Sequence, residues 1–188
     1  LAQDPTNDNP YDNMSQIWYT TTTCPSNQQR MVVEVLDTTS ADLDIFVGTG
    51  NQPHAALQKA YSAGAGPWEY LNIPQPSFSG SCWILVQNWQ SSAAGVQDTV
   101  KLAYGFVPKS GGSNYTVSGP ASLPALTPFD LSVAWNLSAT YNTSQVWYGW
   151  FSVGSSASLK NDIGKINVNL YKEITTVPTS VYLPLLVR

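Results

Sequence analysis

CWILVQNW, Cys82–Trp89, is apolar at six of its eight positions, and the apolar residues fall at both odd and even places. A strand that covers one side of a core alternates apolar with polar residues, whereas a strand between two layers is apolar on both faces. The run is too short for a buried helix, is rich in aromatic and aliphatic residues, and is flanked by QPSFSG and SSAAG, which are turn-forming. It therefore reads as a central strand. MVVEVLD (31–37) and LDIFVG (43–48) read the same way.

Outside these runs the dominant period is two. In FDLSVAWN, Phe129, Leu131, Val133 and Trp135 share one face and Asp130, Ser132, Ala134 and Asn136 the other. KINVNLY aligns Ile166, Val168 and Leu170, and VKLAYGF aligns Val100, Leu102, Tyr104 and Phe106. Only HAALQKA (54–60) has a helical pattern. Ten or so strands with almost no helix predict an all-β chain of two consecutive β-sandwich domains. The Gly/Ser segment VPKSGGSN (107–114) is the predicted boundary, giving domains 1–107 and 108–175. A Thr/Pro linker and an apolar C-terminal strand occupy 176–188.

Composition narrows the function. Of 188 residues, 43% are hydrophobic but only 11% charged, so Ser, Thr, Asn and Gln supply the polar surface. That balance is expected of an extracellular, secreted or cell-surface protein. A net charge of −4 without basic runs argues against nucleic acid as a partner. No segment approaches the roughly 18–20 apolar residues of a spanning helix, so no membrane insertion is expected. LAQDPTNDNP (1–10) has neither a basic nor an apolar segment, so any export signal lies upstream or has been removed.

The two cysteines, Cys24 and Cys82, do not have the spacing of a metal motif. In an oxidising compartment they can form one disulfide closing a loop of about 58 residues, worth about 4 kcal/mol on loop entropy. The alternative is two unpaired buried thiols. No catalytic constellation emerges. His54 is the single histidine, there is no G-x-S-x-G elbow, and no glycine-rich phosphate loop follows a strand, so a non-enzyme is expected.

Two sets of residues suggest binding. Asp4, Asn7, Asp8 and Asn9 crowd the N-terminal segment, and Asp37, Asp42 and Asp44 follow in and after MVVEVLD. Calcium takes six to eight hard oxygens from such residues, and the N-terminal segment could fold back over the 37–44 loop to complete a shell. Asp and Asn are also common in ordinary turns. Trp68, Trp89, Trp147 and Trp150 lie near turns or on open faces, where flat rings could stack on polysaccharide or collagen. A charge-poor sandwich also uses tryptophan in its core.

Residues 41–103, with ADLDIFVG, WEYLNIPQP and CWILVQNW in that order, resemble the pre-peptidase C-terminal type of domain. The following YTVSGPASLPALTPFDLSVAW, WYGWFSVGSS and IGKINVNLY resemble the Ig-like module that trails it in secreted bacterial subtilisin-like serine peptidases. The resemblance spans roughly residues 30–172. It implies a non-catalytic accessory region serving secretion, stability or attachment, with an upstream peptidase domain as partner. No H-G-T-H or G-T-S-M segment of that peptidase's triad is present. In related collagen-binding modules an acidic N-terminal segment binds calcium, which the resemblance extends to Asp4–Asn9.

The chain ends in VYLPLLVR (181–188), where Val181, Leu183, Leu185 and Val187 share an aliphatic face. Pro184 restricts such a segment to a sheet edge. It is expected to add as a strand either to its own sandwich or to another copy, the second route giving a self-assembling filament.

Overall fold

β6 (Gly80–Gln90) contains CWILVQNW and lies inside an antiparallel sheet of order β1-β6-β3-β4, with β1 (Trp18–Cys24), β3 (Asp42–Thr49) and β4 (Gln58–Ser62). A second sheet has the order β5-β2-β7, from β5 (Tyr70–Pro74), β2 (Gln28–Thr38) and β7 (Val100–Pro108). These elements come from a computed structural model that describes residues 1–110, 112, 115–124, 126–135, 146–171 and 183–184. The chain is all-β, with several antiparallel sheets.

The alternation of side chains decides what each face meets. Cys82, Ile84 and Val86 of β6 and Leu43, Ile45 and Val47 of β3 point into one buried cluster with Met31, Val33 and Val35 of β2. Both sheets thus close on a common core, to which each large aliphatic side chain contributes about 1.5–3 kcal/mol. Cys24, at the end of β1, is bonded to Cys82 across a sequence separation of 58.

The opposite face of β6 and β3 is equally dry. Trp83, Leu85 and Phe46 are buried there with Ile17, and Tyr11 and Met14 of the N-terminal segment pack over them. Trp83 fits because residue 48 is glycine: a Cβ there would lie 2.0 Å from the indole. The indole Nε1 donates to the Thr49 carbonyl at 2.9 Å, satisfying its polar edge.

The outer face of the second sheet is covered by a hairpin of β10 (Val146–Val153) and β11 (Gly164–Tyr171). Arg30 of β2 is 1% exposed, and its guanidinium donates to the Gly149 carbonyl at 3.3 Å, Asn169 Oδ1 at 2.6 Å and the Tyr70 hydroxyl at 3.1 Å. The Tyr148 ring lies against Gly105, 5.8 Å from that guanidinium, and its hydroxyl donates to Glu34 Oε1 at 2.6 Å. A buried guanidinium is costly unless its donors are used, and the hairpin supplies acceptors for it.

The chain divides into two compact units, and the division differs from the predicted one. One unit is Leu1–Lys109 with Val146–Leu170; the other is Ser110–Gln145 with Tyr171–Arg188. The hairpin, expected inside a domain at 108–175, packs with the first sandwich because Tyr148 and Arg30 tie it there. In the other unit, β9 (Asp130–Trp135) lies between β8 (Tyr115–Ser118) and β12 (Leu183–Pro184). HAALQKA is not a helix: Ala55–Leu57 form one 3-10 turn and Gln58–Ser62 pair with β3 as a strand.

Replacing both Cys24 and Cys82 by alanine should lower unfolding free energy by about 4 kcal/mol, the loop-entropy value for a link of this length. Chemical denaturation checks it; a loss below about 1 kcal/mol would mean that packing alone fixes the ends of β1 and β6.

Candidate functional site

Asp42 and Asp44 of β3 and Glu69, just before β5, are near enough for the charges of Asp42 and Glu69 to act on Asp44. Asp42 and Asp44 are two residues apart on β3, which puts them on one face. Glu69 precedes β5, where its carbonyl accepts from the Val35 amide at 2.9 Å. Its side chain is held by the Ser62 hydroxyl on Oε2 and by the Gly64 amide on Oε1 at 3.1 Å. Asp42 Oδ1 accepts from the Gly66 amide at 2.9 Å. The β4–β5 connection thus wraps the cluster with backbone donors.

Asp44 differs from its neighbours. It is 7% exposed and accepts no side-chain hydrogen bond among the described residues. Its carboxyl is pushed up to about 7, first by burial and then by the negative charges of Asp42 and Glu69. Gln87 stands opposite it in the β3–β6 ladder and keeps Oε1 buried without a donor. Asp44 is therefore a group that exchanges a proton near neutral pH.

Asp98 shows the contrast. It too is nearly inaccessible, and burial would raise its pKa, but bonds from Ser92, Asn88 and Thr39 outweigh that and hold it at about 2. Burial perturbs both carboxyls; the supply of donors sets the sign.

The seven predicted calcium ligands lie on the N-terminal segment, β2 and β3. Asp4 is fully buried, and its carboxylate accepts from Gln87 Nε2, from the Thr6 amide at 3.2 Å and from Asn13 Nδ2 at 3.2 Å. Asn7 adopts a left-handed turn conformation, while Asp8 and Asn9 are exposed, and Asn9 Oδ1 accepts from the Tyr11 amide. Asp37 is exposed on β2 opposite Lys101. Only Asp42 and Asp44 join the cluster, with Glu69, which the sequence reasoning missed. Among the described residues no three His, Cys, Asp or Glu side chains are arranged to hold a metal ion. The N-terminal segment does fold back, but as a strap: Tyr11 stacks edgewise on Phe46 and Trp83, and its hydroxyl donates to Gln58 Oε1 at 2.6 Å.

The four singled-out tryptophans lie on three segments. Trp68 is 63% exposed in the β4–β5 loop and Trp89 is half-buried near the end of β6. Trp147 and Trp150 are half-buried in β10, where Trp150 Nε1 donates to the Pro108 carbonyl at 2.9 Å and Lys165 lies over its ring. His54 caps the 3-10 turn through Nδ1. Leu183 and Pro184 pair with Leu131 and Asp130 of the same chain; Val181, Leu185 and Val187 lie outside the described residues. No protein-family profile, curated protein or solved structure matches the chain.

The Asp44 environment fixes a pH dependence. The native state holds a proton between the ordinary value of 3.8 and about 7 that the unfolded chain has lost, so stability falls as pH rises through that window. Asp44→Asn should flatten the fall and stabilise the protein at pH 8 by on the order of 1–2 kcal/mol, allowing for solvent screening. Urea unfolding of both proteins at pH 5 and pH 8 measures it; equal pH slopes would contradict the assignment.

Proposed function

We propose that the chain is a non-catalytic, extracellular accessory region of a secreted peptidase, serving export, stability or attachment of the enzyme rather than its chemistry. One observation carries this reading. The segments on which the resemblance to the pre-peptidase C-terminal domain rests, ADLDIFVG, WEYLNIPQP and CWILVQNW, supply β3, the approach to β5 with β5 itself, and β6 of a single sandwich. Asp42 and Glu69 also act electrostatically on Asp44.

Two further features support it. A disulfide suits an oxidising compartment. The scarcity of charge suits a surface made soluble by hydroxyl and amide groups. The Ig-like resemblance of the later part fits β9 and the β10–β11 hairpin only as isolated strands, since the hairpin packs with the first unit.

Deleting this region from the full reading frame should reduce the amount of active peptidase in the medium severalfold while leaving kcat/KM of the surviving enzyme unchanged. A reading frame without a peptidase, or hydrolysis of peptide substrates by the purified chain itself, would overturn the proposal.

A further inference from the structure

The two sandwich sheets have four edges, and three are guarded. β4 carries Lys59 and an irregular register against β3. β5 is five residues long and ends in Pro74. β7 carries Lys101 and Pro108 and has two register shifts against β2. Charges, prolines, bulges and short length are the devices by which natural sheets keep edges from pairing with another chain.

β1 has none of them. WYTTTTC, Trp18–Cys24, holds seven residues in unbroken register with β6 and contains no charge and no proline. Trp18 is 44% and Tyr19 37% exposed, and Thr21 and Thr23 are exposed as well. Among the described residues the only backbone ladder that β1 makes is with β6.

We propose that the β1 edge is an interaction surface for a second copy of this chain, pairing antiparallel with the same strand across a two-fold axis at Thr21. The strand is complementary to itself. Centred on Thr21, the pairing sets Thr20 against Thr22 and Tyr19 against Thr23, so hydroxyl faces hydroxyl, each aromatic ring meets a small side chain, and no like charges oppose. Thr–Thr and aromatic–β-branched pairs are favourable cross-strand neighbours. A two-fold interface uses one patch twice and closes, giving a dimer rather than a fibre. A single seven-residue strand pair buries less than the roughly 1,200 Å² of a standard interface, so the dimer is weak and its association depends on concentration.

Sedimentation equilibrium of the purified chain across a concentration series tests this. The wild type should dimerise reversibly. Thr21→Lys places two ammonium groups face to face on the axis and should weaken association by at least about tenfold, with near-ultraviolet circular dichroism and the disulfide unchanged. Thr21→Glu should act alike through the opposite charge, and Lys59→Thr on the other edge should leave the dimer intact. A wild type that stays monomeric to its solubility limit would leave the edge to another protein's strand and overturn the proposal. So would a well-folded Thr21→Lys protein that dimerises as tightly as wild type.

Discussion

Burial of β6 on both faces is the constraint from which the first unit follows. From Cys82 to Asn88 no residue is more than 1% exposed, so the strand has no solvent side and each face needs another layer. The second sheet supplies one through Met31, Val33 and Val35, and the N-terminal strap supplies the other through Tyr11, Met14 and Ile17. The indole of Trp83 forces glycine at position 48 and an acceptor at Thr49. In the other unit, β9 alternates half-buried and exposed residues.

The same burial governs the polar end of β6. Gln87 and Asn88 are inaccessible, and a buried amide costs free energy unless bonded. Asn88 is tied to Ser40, Ser91 and Asp98, and Gln87 to Asp4. These bonds give the Asp and Asn residues of the strap and of the β6–β7 loop a structural use. Asp44 is left outside that network, and burial pushes its carboxyl up. The Arg30 clamp on the opposite side repeats the theme in part: the covering hairpin supplies acceptors for its terminal nitrogens, while Nε stays buried without a partner.

Much of this was legible in the sequence, because burial writes itself into side-chain period. The runs apolar on both faces became β2, β3 and β6, and the alternating FDLSVAWN and KINVNLY became β9 and β11. HAALQKA has helical spacing but is too short to stand alone as a helix, and pairing of Gln58–Ser62 with the β3 edge takes its second half into a strand. The place of the β10–β11 hairpin was not legible, since it depends on contacts of Arg30 and Glu34 with residues more than a hundred positions away. The acidic cluster was half legible. Asp42 and Asp44 announce themselves by spacing, whereas Glu69 is joined to them only by the β4–β5 connection, and the glutamate of WEYLNIP was its one local sign. Asp4 pointed to a cation by composition, yet Gln87 and Asn13 use its oxygens.

If β6 is the strand on which the layers depend, its amides open only when the whole first unit unfolds. Native-state hydrogen exchange measures that directly. The amides of Trp83–Val86 should exchange last, with a free energy equal to that of global unfolding, while those of β4 and the N-terminal strap open earlier. Exchange of Trp83–Val86 at the rate of β4, or by a sub-global opening well below the unfolding free energy, would contradict the account.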